Sequence, residues 1–347
     1  MTQQEANWWH PRIHADRRHL LLARNAIAQA VRGYFLARDF VEVDTGAIQI
    51  SPANQTHIHG LAVDVTGPDG VRASRYLHCS PEFAMKKLLA AGEQRIFSLG
   101  HVFRDREQGP LHAVEFTLLE WYRTGEPYDQ IIEDGLAILR LALVHAGARE
   151  LAYRGQRCNP FLAASRSTVA EAFLTHAGID LMATVSANGS GEAARLADAA
   201  RAAGIVVAPQ DTWSDTFSSV LAERIEPNLG LGVPAVLREY PRPEAALARA
   251  KPGDRRLAER FEIYACGVEL ANGFGELADP VEQRSRFEAE MAEKERVYGE
   301  SYPLDEDFLR ALSLMPEASG AALGFDRLVM LATHCSRIEQ VIWTPAA

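Results

Sequence analysis

Apolar residues recur at helical spacing over residues 19–39, HLLLARNAIAQAVRGYFLARD, and predict a helix there. The polar, irregular residues 1–18 before it read as a tail. A short strand, FVEVDT, follows, and the turn-rich residues 51–80 predict a hairpin region. SPEFAMKKLLAAG reads as a helix with Ser80 as N-cap, Pro81 in its first position and Gly92 at its end. Two strands come next, RIFSLGHVFRD and VEFTLLEWYR, joined by a polar loop. Residues 129–232 are Ala-rich and read as helical throughout. Strands return at AVLREYP and RFEIYACGVELANGF, and SGAALGFDRLVMLAT reads as a strand end entering a helix. Strands and helices do not alternate regularly. The expected class is therefore α+β, an antiparallel sheet flanked by helices.

One strand carries a puzzle. In LHAVEFTLLEWYR, Phe116, Leu118, Glu120 and Tyr122 share one face and Thr117, Leu119 and Trp121 the other. Both faces are mostly apolar, as in a central strand covered on both sides. Glu120 in such a place costs several kcal/mol unless a cation or hydrogen-bond donors meet it. An internal Arg or Lys is the plain expectation.

The bulk properties narrow the class. A chain of 347 residues, 47% hydrophobic and 24% charged, is of ordinary soluble globular type, with no apolar run of membrane-spanning length and no signal-peptide core. Cys79, Cys158, Cys266 and Cys335 are scattered, which argues against a zinc site or disulfide framework and for a reducing cytoplasm. The net charge of −10 argues against a long nucleic-acid footprint.

Three constellations carry candidate chemistry. In FRDREQGPLHAVEF, Arg104 could pair with a phosphate as a planar fork and Phe116 could offer a ring to a base; the alternative is a solvated hairpin tip. In GVELANGFGELAD, an extended chain points Asn272, Phe274 and Glu276 to one face, with Glu269 on the other unless a bulge intervenes. Such acids and an amide suit Mg²⁺ on a phosphate, or an ammonium group; the alternative is a Gly-rich turn with surface acids. In SGAALGFDRLVML, small residues allow close approach to a ligand, and Arg327 at a helix start could reach a phosphate; the alternative is a surface Asp326–Arg327 pair.

Taken in order, SPEFAMKKLL, HAVEFTLLEWY, VELANGFGEL and ALGFDRLVML resemble the class II aminoacyl-tRNA synthetase catalytic domain, lysyl branch, from about residue 19 to residue 347. The resemblance implies ATP and Mg²⁺ as cofactors and attack of a carboxylate on the α-phosphate. It assigns the α-phosphate to Arg104, the terminal phosphates to His112, adenine stacking to Phe116, and adenine and the γ-phosphate to Arg327. Glu269 and Glu276 match acids near Mg²⁺. On the amino-acid side, Glu120 matches the acid that receives the lysine side-chain ammonium, and Glu82 the acid at the backbone amino group. Tyr122, Asn272, Phe274 and Glu276 match other residues around that amino acid.

Only about 18 residues precede this domain, which leaves no room for an anticodon-binding barrel. The chain thus resembles the short lysyl paralogues that attach (R)-β-lysine to a lysine of elongation factor P. Ser80 and Ala322 stand where the tRNA enzymes usually carry Ala and Gly, as expected for a pocket that prefers a β-amino acid. The implied partners are lysine or (R)-β-lysine, elongation factor P and a second copy of the chain in a homodimer, not tRNA or a membrane. There are departures: Gly46 replaces a Pro that shapes the dimer interface, Arg106 replaces a Glu for which Glu107 could substitute, and Ala113-Val114 replaces Asn-Pro. Two other readings stay open, a stand-alone enzyme charging tRNA or another carrier and a non-catalytic regulatory paralogue.

Overall fold

The computed structural model describes residues 7–345. Its helices are α1 (Pro11–Leu36), α2 (Glu82–Ala90), α3 (Tyr128–Ala146), α4 (Val169–Ala177), α5 (Ala193–Ala202), α6 (Trp213–Val220), α7 (Pro280–Tyr298), α8 (Glu306–Leu312) and α9 (Phe325–Ala332). The strands are β1 (Val41–Glu42), β2 (Ile48–Gln49), β3 (Ala62–Thr66), β4 (Arg72–Leu77), β5 (Arg95–Phe103), β6 (Glu115–Thr124), β7 (Leu151–Tyr153), β8 (Gln156–Cys158), β9 (Ser165–Thr168), β10 (Ala235–Pro241), β11 (Ala250–Lys251), β12 (Asp254–Ala265), β13 (Val268–Gly275) and β14 (Ala318–Gly324).

The central sheet runs β1-β5-β6-β14-β13-β12-β10-β9, with β11 on β12. It is antiparallel as expected, except where β1 and β9 join its edges in parallel. β6 lies inside it between β5 and β14, which is why both its faces are apolar. Phe97, Trp121, Ala321 and Phe261 form a row across the back face, in one core with Ile27, Phe35, Leu139 and Leu328 from α1, α3 and α9. α3 comes close because Gly135 has no side chain; a Cβ there would stand 2.5 Å from Ile263 Cδ1. At one end of the front face, Ile96 and Tyr122 pack with Met85, Leu89, Phe287 and Phe308 from α2, α7 and α8.

Four sequence expectations change. The first helix starts at Pro11, not His19, and a proline in the first turn suits a helix start because its missing N–H would be unpaired anyway. Arg17, expected in the tail, is buried and donates to the backbone carbonyls of Glu339 and Ile342; the tail expected over residues 1–6 lies outside the described residues. The Ala-rich segment is not all helix. It contains the strands β7, β8 and β9, and its apolar residues form a separate core around Phe173, Trp213 and Phe217. The N-cap of α2 is Pro81, although Ser80 Oγ still accepts the Glu82 N–H at 3.0 Å. RFEIYACGVELANGF is a hairpin, turning at Cys266 (φ 58°) and Gly267 (φ 72°). Two successive positive φ values match the right-handed twist of the flanking strands.

Candidate active site

Register decides which side chains meet on the front face. Ser98 pairs with Glu120, Glu120 with Ala322, Ala322 with Asn272 and Asn272 with Glu262. These five side chains form one row across five strands. The neighbouring row is Ile96, Tyr122, Gly320, Phe274 and Arg260. Gly320 is obligatory, since a Cβ there would stand 2.3 Å from Tyr122 Cδ1. A cavity of about 350 Å³ opens over these rows. Ser80, Glu82, Asn272, Phe274 and Ala322 line it together with Arg104, Glu107, His112, Phe116, Glu269 and Arg327, while Glu120, Tyr122 and Glu276 lie buried behind that lining.

Glu120 meets no cation. Among the described residues its partners are two hydroxyls, Ser80 Oγ donating at 2.7 Å and Tyr122 OH at 2.6 Å. The side chain is 1% exposed. Burial and then the nearby charge of Glu82 push its carboxyl up to about 8, against the pull of the two hydroxyl donors. The buried lysine of the region is Lys86. Its Nζ lies 2.6 Å from both Glu82 and Glu276. Among the described residues, Asn272 Oδ1 and Glu276 Oε1 have no hydrogen-bond partner, and Glu276 Oε2 has only the Lys86 ion contact. Buried polar atoms are almost always paired, so this part of the cavity is built for polar groups it does not itself contain.

Arg104 donates from Nε to Cys79 O at 3.2 Å, and its guanidinium lies 5.3 Å from the centre of the Phe116 ring. Arg327 donates to Leu111 O at 3.2 Å and Glu269 O at 3.1 Å, and meets His112 Nε2 at 2.7 Å. Burial and the Arg327 charge lower the His112 pKa, so the neutral ring accepts from Arg327. Asp326 is not a surface partner of Arg327. It is buried, accepts the Thr117 N–H at 2.7 Å and pairs with Arg24, tying α9 to β6 and α1.

The face of Glu269 is settled by a bulge. Ile263 pairs with Ala271 but Tyr264 with Glu269, so Leu270 is an extra residue and Glu269 turns to the cavity side. Burial and then the charge of Glu262 push the Glu269 carboxyl up to about 7. The side chain is 37% exposed, so cavity water weakens that shift. Glu262, absent from the sequence assignment, faces the same side and is held by Arg260 at 2.7 Å and by Tyr264 OH.

The expected pairing of Glu269 with Glu276 at a metal does not form. Seven residues of strand put them on the order of 20 Å apart, and Lys86 occupies Glu276. No group of three or more His, Cys, Asp or Glu poised for a metal occurs among the described residues. Glu262 and Glu269 beside each other remain a fitting pair, since Mg²⁺ commonly takes one or two carboxylates plus substrate phosphates. The substituted loop is also explained. Arg106 has φ 63°, points out of the cavity and pairs with Glu300, while the next residue, Glu107, lines the cavity.

Residues 4–347 match the family described as tRNA synthetases class II (D, K and N). The chain belongs to the class II tRNA synthetases. It is 34% identical over 97% of its length, and 98% of the relative's, to the elongation factor P–(R)-β-lysine ligase of Vibrio parahaemolyticus. It is 36% identical to the ligase of that name from Haemophilus influenzae strain PittGG, covering 97% of both chains. With the Erwinia tasmaniensis ligase it shares 37% identity over 93% of both. The class II catalytic domain thus accounts for nearly the whole chain, and no described helix is long and apolar enough to cross a membrane.

Proposed function

We propose that this ATP-dependent ligase activates lysine, with (R)-β-lysine preferred, as an aminoacyl-adenylate and transfers it to a lysine side chain of elongation factor P. The observation that carries this reading is Glu120, a buried carboxylate met among the described residues by two hydroxyls and no cation, directly behind cavity-lining Ser80 and beside Ala322 in the sheet, in a cavity that also holds Arg104 and Arg327. The substrate side-chain ammonium docks on Glu120, and a second amino group docks on Glu82. Tyr122 and Ser80 orient Glu120, while Asn272 and Phe274 complete the pocket. A lysine analogue without the ammonium leaves Glu120 unpaired and is rejected.

The substrate carboxylate oxygen attacks the α-phosphorus of ATP. A new P–O bond forms as the bond to the bridging oxygen breaks, and pyrophosphate leaves. Arg104 neutralises charge at the α-phosphate, Phe116 stacks on adenine with Glu107 at its edge, and Arg327 with His112 holds the terminal phosphates. Glu262 and Glu269 would hold Mg²⁺, which supplies charge neutralisation on the phosphates. A neutral amine of the acceptor lysine then attacks the acyl carbon, AMP leaves and an amide forms. The protein acts by positioning and electrostatics rather than proton transfer. A homodimer is part of the proposal.

The test is amino-acid-dependent ATP–pyrophosphate exchange with no amino acid, L-lysine or (R)-β-lysine, followed by the mass of elongation factor P after incubation. Exchange highest with (R)-β-lysine, and a mass gain of one lysyl unit, is the expected result. Preference for L-lysine with transfer to tRNA would overturn it. Ala322 contributes to the preference, because its Cβ stands in the row between Glu120 and Asn272. Ala322→Gly is expected to shift the (R)-β-lysine to L-lysine ratio of kcat/KM about tenfold toward L-lysine, the usual worth of one methyl group. An unchanged ratio removes Ala322 from the selectivity set.

A further inference from the structure

Glu82 lines the cavity and Glu120 and Glu276 lie buried behind it; burial and the charge of Glu82 push the carboxyls of Glu120 and Glu276 up, against the pull of Lys86 on Glu276. Lys86 reaches them from the second turn of α2. The side chain is wholly enclosed, and Nζ stands 2.6 Å from Glu82 Oε1 and 2.6 Å from Glu276 Oε2. The Glu82 contact is an i,i+4 pair along α2, whereas Glu276 lies just past the end of β13, so the lysine joins the helix to the sheet. A lysine buried without anions would lose its charge, but these carboxylates hold its pKa above the ordinary value.

We propose that Lys86 is a positioning residue that fits this pocket to a substrate carrying two ammonium groups. The inference rests on the functional reading above. It has two parts. Lys86 engages one oxygen of Glu82, a residue that lines the cavity, and so fixes that carboxylate. It also cancels one of three negative charges. Three carboxylates and one ammonium leave a net charge of −2 when all are ionised, which two substrate ammonium groups neutralise. A substrate with one ammonium leaves one carboxylate uncompensated in a dry site, and a pocket without Lys86 carries one negative charge too many.

Lys86→Met alone strands the buried Glu276 carboxylate and its half-buried neighbour Glu82 and is expected to unfold readily. The informative variant is Lys86→Met/Glu276→Gln, which removes one cation and one anion together. It is expected to melt close to the parent protein. In pyrophosphate exchange its KM for the amino acid should rise about tenfold or more, as when a group that orients a binding residue is lost, with the KM for ATP unchanged. Its preference for a diamino acid over a monoamino acid of the same length should narrow, because Glu82 is no longer fixed. The comparison is with Glu276→Gln alone, which keeps Lys86 on Glu82: a purely structural lysine would give the double variant the amino-acid KM and the preference of that single variant. An unchanged amino-acid KM in a variant whose parent exchanges normally would overturn the role of Lys86 alone. A parent protein that exchanges with no lysine-like substrate would overturn the functional reading and the role of Lys86 with it.

Discussion

Glu120→Gln is expected to lower kcat/KM for amino-acid-dependent exchange by about 10³-fold, since a substrate ammonium buried without its counter-charge costs about 3–5 kcal/mol. The same variant should be more stable than the parent at alkaline pH. Burial holds the folded-state carboxyl at about 8, above the ordinary 4.5. Between those values the unfolded chain gives up its proton while the folded chain keeps it. The glutamate's contribution to stability is therefore greatest below the lower value, declines as pH rises and is fully lost above about 8. Glutamine has no proton to lose. Thermal unfolding at pH 9 should favour the variant by about 1–3 kcal/mol, with the gap closing toward pH 5. Near-normal exchange, or a stability gap that does not change with pH, would refute the assignment. The parent's amino-acid KM should also fall as pH rises toward 8, with a proton released on binding.

Arg104→Ala should lower kcat about 10²- to 10³-fold, the usual loss when a donor aimed at developing charge is removed. The fold should tolerate it. The side chain is 25% exposed, and its contacts are one backbone acceptor, Cys79 O, an ion contact of 3.7 Å with Glu107 and the Phe116 ring. The amino-acid KM should stay unchanged, because Arg104 stands at the opposite end of the cavity from Glu120. Arg104→Lys should not restore the rate, since an ammonium cannot reproduce the planar fork. A kcat within tenfold of the parent would show that Arg104 does not meet the reacting phosphate.

Several of these features could be read from the sequence because they follow from local alternation. The faces of β6 followed from parity alone, and the acid among its apolar residues already marked Glu120. The same signal was present in RFEIYA and would have marked Glu262, whose Arg260 and Tyr264 neighbours hold it in the sheet. The proline at position 11 was likewise a local sign that α1 begins there. What parity could not decide was long-range. Lys86 takes Glu276 from a helix some 190 residues earlier in the chain, and no spacing within VELANGFGEL reveals that. The left-handed turn at Arg106 was equally hidden, because arginine gives no sign of a positive φ. It turns Arg106 toward Glu300, while the next residue, Glu107, lines the cavity.

The extra residue at Leu270 gives β13 two phases of alternation in one strand. Glu269 is placed in one phase, and Asn272 and Phe274 in the other. Side-chain replacements can therefore tune either end of the cavity without disturbing its opposite end. Changes that alter the count beyond the bulge cannot. Straightening the bulge with Leu270 kept, or adding or removing one residue between Ala271 and Phe274, would turn Glu269 into the apolar core or Phe274 away from the cavity. Chains that keep this chemistry should thus vary the letters of the segment from Ala271 to Phe274 but preserve its count.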